Sequence, residues 1–315
     1  MEVSIVIVNY NGEKVLKICL DSLVEIPSIR NYEVIIVDNN SDDGSLKFIK
    51  NNYRGIKIIK NKKNLGYSGI NSVLPHCRGE YIFFLNNDIK LDKNCIKELL
   101  KIIKKNKKIG MTAPRLINYY DKNLKSGGTW ISRAFYNGHI RGGSKIKEIP
   151  YLGVGLLRKS LATKFGYIFD PDYFIYAEDV DLGLRLRLVG YKVVFVPKAI
   201  IYHMHAMTTK KLGSHTTFLL EKNLLTTFFK IFSIKNIILL LPYVIFVRIV
   251  ALTRDVITFK FSSAFSRLKA FFWVISNFKL IWQKRKELQK LKVLDDSFIL
   301  KVFSERHLFK GKVIV

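Results

Sequence analysis

Glu80-Tyr81-Ile82-Phe83-Phe84-Leu85-Asn86-Asn87-Asp88 is a short apolar run that ends abruptly in two amides and a carboxylate. Its apolar residues are continuous rather than alternating, which predicts a strand covered on both faces inside a parallel sheet. Asn86, Asn87 and Asp88 then stand at the strand's carboxyl end. In open α/β sheets that edge is where ligands bind, and a carboxylate among oxygen-rich neighbours suits a hard divalent cation carrying phosphates. The plainer alternative is turn chemistry: Asn and Asp close the strand and cap the next helix, expected over Lys93 to Asn106.

The same theme precedes this stretch. Val3 to Val8 is a continuous β-branched run, broken by Asn9-Tyr10-Asn11-Gly12 before an amphipathic helix that carries Val15, Leu16, Cys19, Leu20 and Leu23 on one face. Tyr32 to Val37 closes in Asp38-Asn39-Asn40-Ser41-Asp42-Asp43-Gly44, and Ser45 to Asn51 reads as a helix. A strand over Ile56 to Ile59 is followed by Asn64-Leu65-Gly66-Tyr67-Ser68-Gly69-Ile70-Asn71 and a helix towards Cys77. Such alternation predicts βαβ units, hence an α/β fold with a mostly parallel sheet flanked by helices. The loops after Val8, after Val37 and at Asn86 to Asp88 should collect along one edge. Asp38 is placed there to accept hydrogen bonds from a base or ribose, with turn chemistry as its alternative. No G-x-G-x-x-G follows a strand and no Walker A lysine is present, so the usual dinucleotide and P-loop readings lose support.

From Ile109 to Pro150 the pattern loosens into short segments punctuated by Gly127-Gly128-Thr129-Trp130 and Gly142-Gly143. Trp130 is either a platform for a sugar or a core residue. Tyr151 to Lys159 reads as a strand. The segment Phe169-Asp170-Pro171-Asp172-Tyr173-Phe174-Ile175-Tyr176-Ala177-Glu178-Asp179-Val180-Asp181 is a second acidic cluster, opening a helix expected over Glu178 to Val189. Acidic groups in a first turn answer to the helix dipole. A carboxylate there can also take a proton from a nucleophilic hydroxyl. Tyr191 to Val196 is expected as a strand ended by Pro197. His203 and His205 point the same way in extended chain, as a metal ligand near Asp88 or as a structural pair.

The chain has 315 residues, 49% of them hydrophobic, and a formal net charge of +28, so it can build a sizeable core and should seek polyanions. Three scattered cysteines, Cys19, Cys77 and Cys95, argue against a disulfide framework or a zinc site and fit a reducing compartment. Met1-Glu2-Val3-Ser4 enters a strand without a basic leader, which predicts a cytosolic chain. From Lys210 to Val315 there are 20 Lys plus Arg against 6 Asp plus Glu. Ile237 to Val247 is apolar but shorter than the ~20 residues of a membrane span, so no full span is expected. Phe261 to Lys292 interleaves aromatic and basic residues, as in helices lying in a membrane interface; a helical subdomain packed on the core or forming a homo-oligomer is the alternative. The expected organisation is a catalytic domain over residues 1–209, with halves of about 1–108 and 109–209, and a helical region over 210–315.

Taken together, Val3 to Gly12, Val37 to Ser45, Asn64-Leu65-Gly66-Tyr67, Leu85-Asn86-Asn87-Asp88, Tyr176 to Leu182 and His203 resemble glycosyltransferase family 2, the nucleotide-sugar transferases of GT-A fold, in the branch of rhamnosyl- and galactofuranosyltransferases. The resemblance covers roughly residues 3 to 230. It implies that Asn9, Tyr10, Asn11, Asp38, Asn40, Asn64, Gly66, Asn71, Asn86 and Asn87 surround the nucleotide sugar. It further implies that Asp88, in the place of the last residue of the D-x-D motif, binds a divalent metal, Mg2+ or Mn2+, with His203 completing the coordination. Asp179, in the E-D motif, would be the catalytic base. Trp130, Glu178 and Asp181 are weaker candidates on the acceptor side. Two departures stand out: Asn86 replaces the first acidic residue of D-x-D, and Gly166-Tyr167-Ile168-Phe169-Asp170 replaces glycine-glycine-phenylalanine-aspartate. The expected activity is inverting, non-processive transfer from a nucleoside-diphosphate sugar to a glycan or polyprenyl-phosphate-linked acceptor, by an enzyme peripheral to the cytoplasmic face of an anionic membrane. A catalytically inactive sugar-binding scaffold is one alternative. A nucleic-acid-binding protein is another, disfavoured because the basic excess sits among aliphatic runs without a nucleic-acid motif.

Overall fold

The computed structural model describes residues 1–27, 29–140, 142–204 and 213–304, with the side chains of 124 and 125 left aside. The first half follows the expected alternation: β1 (Val3–Asn9), α1 (Glu13–Val24), β2 (Tyr32–Asp38), α2 (Ser45–Asn52), β3 (Lys57–Lys60) and β4 (Tyr81–Asn86). The helix expected before Cys77 is a 3-10 helix, Gly66–His76, in which Gly66, Gly69 and Pro75 are poor α-helix formers. Then come β5 (Ile89–Leu91), α3 (Cys95–Lys105), β6 (Ile109–Asn118), β7 (Leu124–Ser126), β8 (Thr129–Ser132), β9 (Asn137–His139), β10 (Lys147–Ile149) and β11 (Gly155–Arg158). The rest is α4 (Lys159–Phe165), α5 (Glu178–Leu188), β12 (Lys192–His203), α6 (His215–Ile231), α7 (Ile234–Ile257), α8 (Phe261–Ser276), α9 (Phe278–Lys290), α10 (Asp296–Leu300) and β13 (Phe303–Ser304).

The main sheet runs β10-β12-β6-β11-β4-β1-β2-β3, with β5 added to β12 and β7 to β6. The pairs β1–β2, β1–β4, β2–β3 and β6–β12 are parallel, while β11 lies antiparallel between β4 and β6. The continuous apolar runs are explained by burial on both faces. Val6 and Phe84 face a core shared with α5 and α6, whereas Ile5, Ile7 and Phe83 face a second core shared with α1 and α3.

Two expectations are corrected. The strand expected to end at Pro197 continues to His203, because the register shifts between Val196 and Ile200 and the proline sits in that irregularity. The apolar run expected to be too short for a span belongs to a continuous helix, α7, whose most apolar 18-residue stretch has a mean hydropathy of 2.2 and which is long and apolar enough to cross a membrane by length and composition. The run reads short because Arg248 interrupts it, yet Arg248 is folded inward, donating to the Ala134 carbonyl at 2.9 Å and lying 3.0 Å from Glu221. The outer faces of α7 and α8 are left apolar, with Ile238, Leu239, Phe246, Phe265 and Phe272 exposed.

Candidate active site

Parallel register brings the strand ends together. Asn9 stands opposite Asp38 across β1–β2, and Val8 opposite Asn86 across β1–β4. Asn9 is fully buried, and its Nδ2 donates to Asp38 Oδ1 at 3.1 Å while its Oδ1 accepts from Asn87 Nδ2 at 2.8 Å. Asp38 also accepts from the Ser41 backbone N–H at 3.0 Å and from the Ser41 hydroxyl. Asn11 and Asn40 adopt left-handed φ angles of 48° and 64°, conformations that Asn tolerates in tight loops. Asn11 Oδ1 caps the Asp42 N–H at 3.0 Å, tying the first loop to the second. Tyr10 and Asn40 are exposed on the rim.

The Asn64 loop adds the third wall. Asn64 Oδ1 accepts from the Gly66 N–H at 2.9 Å, and the Gly66 carbonyl accepts from Asn39 Nδ2 at 2.8 Å. A Cβ at Gly66 would lie 1.8 Å from the Phe174 carbonyl oxygen, and its φ is +61°, so glycine is required where this loop meets the acceptor half. Asn39 and Asn61 were not read from sequence as site residues. They brace this wall, Asn61 Nδ2 donating to Asn39 Oδ1 at 2.8 Å, and a run of amides beside Asp38 was their only signal. Asn71, expected on the nucleotide, is instead committed to structure: it donates to the Phe169 carbonyl at 2.7 Å and accepts from the Ile168 N–H at 2.9 Å.

Asp88 and His203 meet because β5 pairs antiparallel with the end of β12, setting Ile89 opposite His203, and the Met204 N–H donates to the Asp88 carbonyl at 2.9 Å. Asp88 Oδ1 lies 3.1 Å from His203 Nε2. Two ligands bound at ~2.1 Å and at right angles on one octahedral ion lie about 3 Å apart, so this carboxylate and imidazole fit a Mg2+- or Mn2+-type ion. Among the described residues no group of three or more His, Cys, Asp or Glu is arranged around a metal, so remaining positions would fall to substrate oxygens or water. His205 lies outside the described residues.

Asp179 sits in the first turn of α5, half-buried, its Oδ1 accepting from the Val180 N–H at 2.8 Å. Burial raises its carboxyl from 3.8 to about 6. Glu178 is buried, and burial together with the charge of Asp179 holds its carboxyl well above the usual range. Tyr67 joins the two half-sites: burial first, then the charges of Asp88, Glu178 and Asp179, push its hydroxyl well up. A carboxyl with a raised pKa and the Asp88 carboxylate of the candidate metal pair therefore act on one tyrosine.

Two acceptor-side expectations are redirected. Asp181 is fully buried and ion-paired to Arg185 at 2.6 Å and Lys230 at 2.6 Å, so it serves the fold behind α5. Lys230 also holds Asp170 at 2.5 Å; burial pushes the Asp170 carboxyl up, but Lys230 and Lys284 outweigh it and hold it well below the usual range. Trp130 packs on Gly138 and borders a cavity of about 300 Å³ shared with Lys147, Glu148 and Lys301, whose lining includes none of Asp88, Asp179 and His203.

Residues 4–163 match the sequence profile of glycosyl transferase family 2. The chain belongs to that family. Among curated relatives it is 25% identical over 230 residues, 68% of this chain and 70% of the other, to the dolichyl N-acetyl-alpha-D-glucosaminyl phosphate 3-beta-D-2,3-diacetamido-2,3-dideoxy-beta-D-glucuronosyltransferase of Methanococcus voltae. It is 27% identical over 242 residues, 65% of this chain and 76% of the other, to the N-acetylglucosaminyl-diphospho-decaprenol L-rhamnosyltransferase of Mycobacterium tuberculosis. Its fold resembles that of GalNAc-T7 solved with UDP, GalNAc and Mn2+, at a TM-score of 0.61 and 17% identity, covering 72% of this chain and 47% of that one. S. aureus TarS 1-349 in complex with UDP matches at a TM-score of 0.55 and 17% identity, covering 72% and 65%. The protein is thus a glycosyltransferase of GT-A fold, as its sequence motifs led one to expect.

Proposed function

We propose that this transferase moves a sugar, with inversion and without processivity, from a nucleoside-diphosphate sugar to a hydroxyl of a lipid-linked glycan at the cytoplasmic face of a membrane. The observation that carries the reading is the 3.1 Å approach of Asp88 to His203 at the strand edge, with the Tyr67 hydroxyl feeling the charges of both Asp88 and Asp179. Asn9, Asp38 and the Asn64 loop would hold the nucleoside. Asp88 and His203 would hold Mg2+ or Mn2+, which when bound neutralises charge on the departing diphosphate. Asp179 takes the proton of the acceptor hydroxyl as that oxygen attacks the anomeric carbon from the face opposite the diphosphate. Its raised pKa brings it closer to the acceptor proton it must accept, while leaving it ionised at neutral pH.

The lipid-linked acceptor is supported by the names of the two relatives above and by the surface of α7 and α8. Phe246 is 60% exposed, Phe265 69% and Phe259 at the tip between the helices 80%, in a region rich in lysine and arginine. Such a face suits the headgroup boundary of an anionic bilayer. Because α7 packs inward through Val244, Val247, Arg248 and Ala251, we place it along the membrane surface rather than across it.

A donor screen tests the reading: the protein, Mg2+ or Mn2+, a panel of UDP-, dTDP- and GDP-sugars and membrane lipid extract, with nucleoside diphosphate release as readout. Release from one donor, lost on chelation and in Asp179→Asn, is expected. Release that survives chelation removes the metal role of Asp88 and His203, and no release from any donor favours the scaffold alternative.

A further inference from the structure

The backbone that presents Asp179 is strained. Tyr176 and Ala177, the two residues before α5, have φ angles of 69° and 59°, and neither is glycine. Consecutive left-handed residues bearing a Cβ persist only where surrounding structure enforces them. Here the enforcement comes from α6. Asn223 is fully buried, and its Nδ2 donates to the carbonyls of both Ile175, at 3.1 Å, and Tyr176, at 2.6 Å. Only the amide nitrogen can face two carbonyl oxygens, so this orientation of the side chain is fixed by its partners. The Asn223 carbonyl in turn accepts from the Tyr173 hydroxyl at 3.0 Å, and Lys222 donates to the Asp172 carbonyl at 2.9 Å.

Core filling does not account for this residue. Asn223 Oδ1 is buried without a hydrogen-bond partner among the described residues, so the side chain is held through its nitrogen alone. What the amide supplies is direction: the two carbonyls it gathers fix the Ile175–Tyr176 and Tyr176–Ala177 peptide planes, through which the chain enters the first turn of α5 that carries Glu178 and Asp179.

We propose that Asn223 is a positioning residue for the transfer reaction, its amide holding the left-handed Tyr176–Ala177 turn so that Asp179 points at the acceptor hydroxyl. The inference rests on Asp179 being the base. It separates α6 from a passive cover, since Asn9 and Asp38 on the donor side bond to each other and to Ser41 and not to Asn223 or the turn it holds.

The test is a cycle on the full chain, read by nucleoside diphosphate release under the donor-screen conditions. Asn223→Ala is expected to lower kcat by about 10- to 100-fold, the scale of a displaced catalytic group, with KM for the donor retained. Adding Ala177→Gly, which accepts φ > 0 without strain, should recover most of the lost kcat. Asn223→Asp keeps the size and removes the donors, and serves where the alanine variant does not accumulate as folded protein. Full kcat in either Asn223 variant overturns the proposal, as does a loss that the glycine does not recover. Asp179→Asn run in parallel distinguishes the underlying assumption: full activity there would sink the base assignment, whatever the Asn223 cycle shows.

Discussion

Replacing Asp179 by asparagine should disable the enzyme and stabilise it at once, and both differences from wild type should grow as pH rises. The carboxyl rises from 3.8 to about 6 on folding because burial disfavours its charge. A carboxylate whose folded pKa lies above the unfolded one destabilises the fold when ionised, so the penalty is absent below pH 3.8, grows through the interval and is complete above about pH 6. At about 1.4 kcal/mol per pH unit this amounts to about 2–3 kcal/mol at pH 8 and well under 1 kcal/mol at about pH 4. The asparagine side chain keeps the acceptor oxygen for the Val180 N–H and removes the charge. Denaturant melts of the two proteins at pH 8 should therefore differ by about 2–3 kcal/mol in favour of the Asp179→Asn variant and converge on acidification. The activity gap follows the same titration: the wild type should lose rate as pH falls through about 6, and the variant should show no such limb because it has no base to titrate. A variant no more stable than wild type at pH 8, or a stability gap unchanged between pH 8 and pH 4, would refute the buried-base account.

Asp88→Ala or His203→Ala should lower kcat on the order of a hundredfold and raise the Mn2+ concentration needed for half-maximal rate, measured by metal titration of diphosphate release. Gly66→Ala, forced into a left-handed φ with its Cβ against the Phe174 carbonyl, should cost roughly 1–3 kcal/mol and weaken nucleotide binding in calorimetry. Lys230→Met removes the cation shared by Asp170 and Asp181, leaving Lys284 and Arg185 as their remaining partners, and should destabilise by roughly 3–5 kcal/mol in chemical denaturation; a neutral outcome would mean that the buried ionic cluster is not structural. Phe246→Glu should weaken binding to phosphatidylglycerol vesicles in co-sedimentation by roughly ten- to a hundredfold, since about 1.5–3 kcal/mol of apolar burial is forfeited, without altering the melting temperature.

The strands β1, β2 and β4 were legible because burial on both faces writes an uninterrupted apolar run, and the polar residues that stop each run mark the edge where Asn9, Asp38 and Asn86 gather. Period and composition say nothing of how distant segments pair, so the addition of β5 to β12, which joins Asp88 to His203, could be read only by resemblance. Pro197 hid the second half of β12 because a proline inside a strand normally signals its end, and a bulge removes that constraint. Asp181 looked like a third site carboxylate until its cations, Arg185 one turn on and Lys230 on another helix, were in view. A trace of that arrangement does stand in the sequence: Asn223, Thr226, Thr227 and Lys230 form a polar stripe at helical spacing beside the apolar Leu224, Leu225, Phe228 and Ile231. Such a stripe signals a buried polar partner without naming it.

The Asp88–His203 pair closes a loop with a sequence separation of 115 residues. Contacts of that span form late, because the entropy of closing the intervening chain must be met before the contact gives anything back. The nucleoside loops, drawn from the first three strands and their connections, are local by comparison. A nascent or refolding chain should therefore acquire the shape of its nucleoside cleft before β12 docks, and its metal pair only afterwards. On the proposed roles of these residues, a partly folded chain would hold a nucleotide before it had the Asp88–His203 pair needed for the diphosphate to depart, and so would be kept from acting half-made.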